Sequence, residues 1–513
     1  MLCRQCEESI KGTGCTRNGV CGKNAALAEG QDALTGALIA LCRSYSDDGY
    51  RGRVESLVVD GLFMTLTNTN FDPVRISEAK GAADALRSEM SPGSEGMGFS
   101  IQSLDDNDDL RCLKELLLYG IRGLAAYYHH ARVLGGRDDS VFGFIMKGMS
   151  ALADSLTADE LVALNMECGT VGVTCLALLD GCNTGRYGNP EITSVSTGVG
   201  SNPGILITGH DLLDLEMLLE QTSGTGIDVY THGEMLPAHA YPFFKKYPHF
   251  IGNYGGAWYR QKEEFDSFNG PVIATTNCVL IPGEGYRDRL YTTGTAGVEG
   301  VAHIPEVGGV KDFSAAIERA RSCEPPTPIE GRDLTIGFAH GQVLALADKI
   351  IDAVKSGAIK RFVVMAGCDG RESARSYYAD FASALPDDAV ILTAGCAKYR
   401  YNGLDLGDIG GIPRVIDAGQ CNDCYSLVVI ANALAQAFDT DVNGLPLSFN
   451  ISWYEQKAVL VLLSLLSLGV KDIMLGPRLP VFVTPGILNV LVDAFGIKAN
   501  SDVEGDIRIL NIA

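Results

Sequence analysis

Cys3, Cys6, Cys15 and Cys21 stand in one short segment, CRQCEESIKGTGCTRNGVC, with the spacing C-x2-C-x8-C-x5-C. Four thiolates this close can satisfy one small metal centre, because thiolate is the soft ligand that zinc and iron–sulfur clusters take. Gly12, Gly14, Gly19 and Gly22 let the backbone wrap around a compact object. Three occupants compete for these residues. A pair of disulfides suits a small secreted domain, but no charged n-region and apolar h-region precede Cys3. Structural zinc also uses C-x2-C, although zinc ribbons separate their two pairs more widely. A 4Fe–4S cluster fits the compact spacing best.

A second set of ligand-type residues follows short apolar runs. His210 comes after GILITG, Glu234 after IDVYTHG and Cys278 after PVIATTN. Cys368 comes after RFVVMAG, Cys396 after AVILTAG and Cys421 after PRVIDAGQ. One cysteine after a strand is ordinary, since free Cys is among the most buried residue types. Four such cysteines with a His and a Glu at two further strand ends point to a shared metal centre. Open α/β sheets bind ligands beyond the carboxyl ends of their strands, so two sheets facing each other could aim all six at one place.

The elements that must hold these residues divide the chain by pattern. From about residue 24 to 183 the apolar periodicity is helical, in three runs of more than twenty residues each, as in DDLRCLKELLLYGIRGLAAYYHHARVL. Long helices with Gly-containing connections predict bundles. Beyond Pro190 short apolar runs alternate with helical stretches: the six above, with LTIGFAH and KDIMLG, read as βαβ units of parallel sheets. The Pro-rich stretch SCEPPTPIEGRD reads as a linker. The expected architecture is α + α/β: residues 1–188 with the Cys segment and helical bundles, then two Rossmann-like α/β domains with parallel sheets at 189–331 and 332–513.

Composition narrows the function classes. With 513 residues, 46% hydrophobic, the chain can build several cores. A net charge of -22 argues against non-specific nucleic-acid binding, which needs a basic face. The apolar run AVLVLLSLLSLGV is too short to span a bilayer and reads as a buried helix, so no membrane partner is expected. Fifteen cysteines without an export signal argue for metal binding in a reducing cytoplasm.

Taken with their motifs, these residues resemble the hybrid-cluster (prismane) protein family over nearly the whole chain. The motifs are GHDL at 209–212, THGEMLPAH at 231–239, TTNC at 275–278, GCDG at 367–370, GCAKYRYN at 395–402, QCND at 420–423 and WYEQKA at 453–458. The resemblance implies a 4Fe–4S cluster on Cys3, Cys6, Cys15 and Cys21. It further implies a hybrid 4Fe–2S–2O cluster on His210, Glu234, Cys278, Cys368, Cys396, Cys421 and Glu455, with Cys368 carrying a persulfide. The implied activity is reduction of hydroxylamine to ammonia and water, or of nitric oxide to nitrous oxide, with electrons from a donor protein and a place in nitrosative stress. The chain is somewhat shorter than the longer class of the family. The ligand set is chemically coherent, since a cluster of iron, sulfide and oxo atoms needs both soft and hard donors.

Other readings stay beside this one. A carbon monoxide dehydrogenase would share the fold and strand-end cysteines, but its site uses Cys and His without two carboxylates. A nitric-oxide sensor or thiol-modifying protein could use the same open cluster. Glu234 and Glu455 could be buried salt-bridge partners, and His210 a helix cap. His232 and His239 read as supporting residues. His129 and His130 are adjacent on a helix and face different directions. Cys421 and Cys424 form C-x2-C, yet a thioredoxin-like pair belongs at a helix start in a much smaller domain. Cys168, Cys175 and Cys182 recur every seven residues on one helix face, as core positions do. Cys42, Cys112 and Cys323 match no ligand motif. Lys457, two residues after Glu455, is either a supporting cation for the centre or a surface lysine.

Overall fold

The computed structural model describes residues 1–9 and 12–512. After the Cys segment come six helices: α1 (Ala25–Ser44), α2 (Arg51–Met64), α3 (Pro73–Met90), α4 (Asp108–Val133), α5 (Asp139–Ala151) and α6 (Ala158–Tyr187). Their starts are written locally. Asn24 and Asn107 accept backbone N–H groups as N-caps, Asp72 does so ahead of Pro73, and Thr157 with Glu160 forms a capping box. By length and composition α6 could cross a membrane. Here its buried face, with Cys168, Cys175 and Leu179, is packed against α4 and against α9 (Gln456–Ser467). Gly169 allows that approach, because a Cβ there would collide with the Leu463 carbonyl. The apolar run beginning at Ala458 is thus a core helix, as its length predicts.

The remainder builds two parallel sheets of six strands each. The first contains β1 (Gly204–Thr208), β2 (Asp228–His232), β3 (Phe250–Asn253), β4 (Val272–Ala274), β5 (Leu290–Thr292) and β6 (Ala302–His303). The second contains β7 (Arg361–Val364), β8 (Ala389–Thr393), β9 (Val415–Asp417), β10 (Leu447–Ser452), β11 (Ile473–Gly476) and β12 (Lys498–Ala499). Spatial order is 3-2-1-4-5-6 in the first sheet and 9-8-7-10-11-12 in the second, the same doubly wound order twice. Strands β1 and β8 are buried at every position, as in a parallel sheet covered on both faces.

Two strand assignments differ from the sequence pattern. LTIGFAH contributes Leu334–Ile336, but this strand pairs antiparallel with Thr193–Val195 and joins neither parallel sheet. LSFNIS, with polar residues at alternate positions, is a central strand, β10. Its Ser448, Asn450 and Ser452 are buried and hydrogen-bonded: Ser448 donates to the Leu510 carbonyl and Ser452 to that of Cys368. Ser322–Asp333 forms neither helix nor strand. One apolar core runs from α1–α6 through β1 and β4 to α9, so the helices rest directly on the strand-bearing part.

Candidate metal centre

The two strand-end crests meet. His210 follows β1 and Cys278 follows β4, at the switch point of the first sheet, and Glu234 follows β2. Cys368 follows β7 and Glu455 follows β10, at the switch point of the second, with Cys396 after β8 and Cys421 after β9. The crests are joined by hydrogen bonds from Tyr241 Oη to Asp423 (2.9 Å), Tyr399 Oη to the Gly233 carbonyl (2.8 Å) and Trp258 Nε1 to the Asp369 carbonyl (2.9 Å).

Ligand atoms of His210, Glu234 and Cys421 lie within 4.8 Å of one another. Nε2 of His210 is 3.9 Å from Oε2 of Glu234. The backbone N–H of His210 donates to Thr276 Oγ1 at 3.0 Å, and the same hydroxyl faces its Nδ1 at 3.0 Å, which leaves Nε2 free to point into the site. Burial holds this imidazole well below the usual histidine range, with Lys457 and His130 adding to the effect, so it is the neutral form that ligates metals. Glu234 Oε2 accepts the Cys421 N–H at 2.7 Å, while its Oε1 and His210 Nε2 have no partner among the described residues.

Cys278, Cys368 and Cys396 pack in one cluster with Trp258 and Tyr454. Cys278 adopts φ 71°, an uncommon conformation for a side-chain-bearing residue, and Gln261 Nε2 holds its carbonyl at 2.5 Å. Cys368 is placed by its N–H on the Ser452 carbonyl (2.8 Å) and by Gly367, whose φ of 112° and contact with that carbonyl admit no Cβ. Burial raises all four thiols, Cys368 to about 12 and the other three well above the ordinary thiol value, and neighbouring carboxylates push the same way. Glu455 is raised by burial, against the pull of Lys457; its carboxylate also caps α9 by accepting the Lys457 N–H at 2.7 Å. Lys457 is 1% exposed, and its Nζ has no hydrogen-bond partner among the described residues. Burial would lower it, but Cys421, Glu455 and Cys278 outweigh burial and keep the ammonium charged. It is not a surface lysine. Soft and hard donors, orphaned His and Glu atoms, and thiols that repel one another when ionised fit a polycationic iron–sulfur centre.

At the N-terminal segment Cys3 and Cys15 pair as an antiparallel bridge, N to O at 3.0 and 2.8 Å. Cys6 is raised well above the ordinary thiol by burial and by Cys3 and Cys21. Cys21 is raised by burial, and Cys3 and Cys15 add to it. The segment is tied to the larger site. The Glu7 N–H donates to the Tyr454 carbonyl at 3.0 Å, Arg375 binds Glu7 at 3.3 Å, and Arg371 binds Glu8 at 2.6 Å. Glu7, Glu8, Arg371 and Arg375 were not singled out from sequence; the charged tract EE directly after Cys6 is the only local signal.

The remaining candidates fall outside the centre. His232 binds Glu264 at 2.9 Å, and His239 binds Thr231 at 3.0 Å and stacks on Phe250. His129 turns to Asp60 (2.7 Å) and His130 towards His210, so the adjacent rings do part. All fifteen cysteines are free thiols. Cys42, Cys112, Cys168 and Cys175 are core residues. The C-x2-C pair does stand just before a helix, α8 (Tyr425–Ala437), but burial pushes the Cys424 thiol up to about 12, opposite to a redox pair. A cavity of about 150 Å³ lies between α6, α8, α9 and the second sheet; Tyr127, Cys368, Cys421, Cys424 and Lys457 are among its lining residues.

Two doubly wound sheets whose strand ends enclose thiolate, imidazole and carboxylate donors define an iron–sulfur redox protein. The chain belongs to the Prismane/CO dehydrogenase family, whose model matches residues 1–508. It is 55% identical to a hydroxylamine reductase of Methanosarcina mazei over 543 aligned residues, covering 99% of this chain and 100% of the relative. It is 56% identical to that of Chlorobaculum tepidum over 540 (99% of each) and 54% to that of Desulfovibrio desulfuricans over 537 (99% and 98%). Among solved structures it is similar to a Ni-free carbon monoxide dehydrogenase from Thermococcus sp. AM4, with TM-score 0.57 and 18% identity over 100% of this chain and 90% of the other. Carbon monoxide dehydrogenase IV from Carboxydothermus hydrogenoformans gives TM-score 0.58 and 16% identity over 99% and 92%. The last two likenesses are of fold alone.

Proposed function

We propose that this chain reduces hydroxylamine, NH2OH + 2 e− + 2 H+ → NH3 + H2O, in the cytoplasm. His210, Glu234, Cys278, Cys368, Cys396, Cys421 and Glu455 hold a hybrid 4Fe–2S–2O cluster, with Cys368 as persulfide, and Cys3, Cys6, Cys15 and Cys21 hold a 4Fe–4S cluster. The observation that carries this reading is the convergence of His210, Glu234 and Cys421 within 4.8 Å, in a chain more than half identical to proteins named hydroxylamine reductase.

When bound, the hybrid cluster supplies electrons and an iron position open to a small N–O molecule. The protein's own residues do the rest. Thr276 orients the His210 ring, and the Cys421 N–H orients Glu234. Lys457 holds a proton at Nζ beside Cys421, Glu455 and Cys278, where the leaving oxygen needs one. Val364, Leu392, Phe449 and Ile451 line the chamber and keep bulk water out. A donor protein delivers electrons at the exposed loop Thr16–Asn18, and the Glu7–Tyr454 hydrogen bond is the short link inward. The apolar chamber also favours a second reading, 2 NO + 2 e− + 2 H+ → N2O + H2O, because an uncharged diatomic enters such walls at little cost.

Anaerobically purified protein should contain about eight irons in two four-iron clusters and no nickel. With a reduced viologen it should turn hydroxylamine into an equal amount of ammonia. A full iron complement without ammonia formation overturns the assignment.

A further inference from the structure

Tyr127 lies on α4 and is fully buried, yet its hydroxyl has no hydrogen-bond partner among the described residues. A buried hydroxyl left unpaired carries its whole desolvation cost, and phenylalanine would fill the same space without it. Most buried tyrosines here do find partners: Tyr128 donates to Glu55, Tyr241 to Asp423 and Tyr401 to the Met365 carbonyl. Tyr127 instead lines the chamber, as do Cys368, Cys421 and Lys457. Lys457 Nζ stands 5.7 Å from the centre of its ring. Neither Nζ nor the phenol oxygen has a hydrogen-bond partner among the described residues, but the ammonium has the carboxylates of Glu455 and Glu234 near it as opposite charge. A phenol, with an ordinary pKa of about 10, is protonated at neutral pH. It is therefore a neutral O–H on α4, in a chamber whose lining is mostly apolar apart from the ligand-site residues, Asn432, Lys457 and Ser464.

We propose that Tyr127 positions the substrate: its O–H donates a hydrogen bond to the oxygen of a small, uncharged N–O compound held in the chamber beside the ligand cluster. The inference rests on the reading given above as the proposed function. It assigns recognition to a residue on the helical region, more than 200 positions from Cys368 in sequence. One hydrogen bond to a small neutral molecule orients it with the oxygen towards α4 and the nitrogen towards the ligand residues.

The test is Tyr127→Phe in the full-length holoenzyme. Removing one such bond should raise KM for hydroxylamine about tenfold, with iron content unchanged. Nitric oxide, labelled with 15N for assignment and added to the reduced protein, should show a shifted N–O infrared band in the variant. The thermal midpoint should not fall, because the lost hydroxyl has no partner among the described residues. An unchanged KM and an unchanged band overturn the proposal, and so does a lower midpoint with loss of iron, which would make Tyr127 structural. If wild-type protein fails to reduce hydroxylamine, the functional reading falls; the infrared comparison still decides whether Tyr127 contacts an N–O ligand.

Discussion

The Cys421 backbone N–H donates to Glu234 Oε2 across 2.7 Å, so a strand end of the second sheet orients a carboxylate from a strand end of the first. The site exists only where the two crests touch. Its chemistry is therefore sensitive to residues that hold the crests together as well as to the ligands.

Within the second crest, Lys398 ties two ligand-bearing loops together. Its Nζ donates to Asp417 Oδ1 and to the Gly419 carbonyl, both at 2.5 Å, locking the loop of Cys396 to that of Cys421. Both side chains are almost wholly buried. Lys398→Met leaves the buried Asp417 without its counter-ion, with only the Gly419 N–H still donating to it, and should cost about 3–5 kcal/mol in urea unfolding. Adding Asp417→Leu should recover part of that loss; a further fall would show that the pair is not the cause.

Glu455→Ala removes a proposed ligand and the N-cap of α9. Cap loss costs about 1 kcal/mol, so the chain stays folded. Hydroxylamine turnover with reduced viologen should be lost, and near-normal turnover would exclude Glu455 as a ligand.

Cys6→Ser should remove about half of the iron, one of two four-iron clusters, while the EPR signature of the second remains. Unchanged iron content rules out a cluster on Cys3, Cys6, Cys15 and Cys21.

A persulfide on Cys368 adds about 32 Da to its peptide in anaerobic, non-reducing mass spectrometry, and cyanide should remove it together with activity. Fully active protein with an unmodified Cys368 would dismiss this modification and leave the ligand assignment standing.

Asp32 gives a pH signature. Burial raises its pKa to about 6, against Arg122 and Lys23. An acid with a raised folded pKa is protonated in the fold and ionised in the unfolded chain between the two values. Stability on its account is therefore full below about pH 4 and falls as pH rises to about 6. Asp32→Asn should gain about 1–2 kcal/mol at pH 7.5 and almost nothing at pH 4, read from urea midpoints. An equal gain at both pH values would exclude titration as the cause.

Local sequence carried much of this protein. Caps, helical periodicity and the Cys spacing act over a few residues, so α1, α4 and α6 are legible from their own segments. The apolar runs likewise mark β1, β2, β4, β7, β8, β9 and β11 where they occur. Position after a strand singles out His210, Glu234, Cys278, Cys368, Cys396 and Cys421 without knowledge of pairing. Pairing itself is a long-range choice. Leu334–Ile336 looks like any buried parallel strand, yet its partner is Thr193–Val195, about 140 residues earlier, a register fixed by backbone hydrogen bonds that leave no local trace. LSFNIS escaped because its polar side chains find partners, such as the Leu510 carbonyl, that only the fold supplies. The same holds for Tyr127 and Lys457, 330 positions apart in the chain and facing one chamber. Residue type records what a side chain can do, while burial and the identity of its neighbours are set by how α4, α9 and the two crests pack.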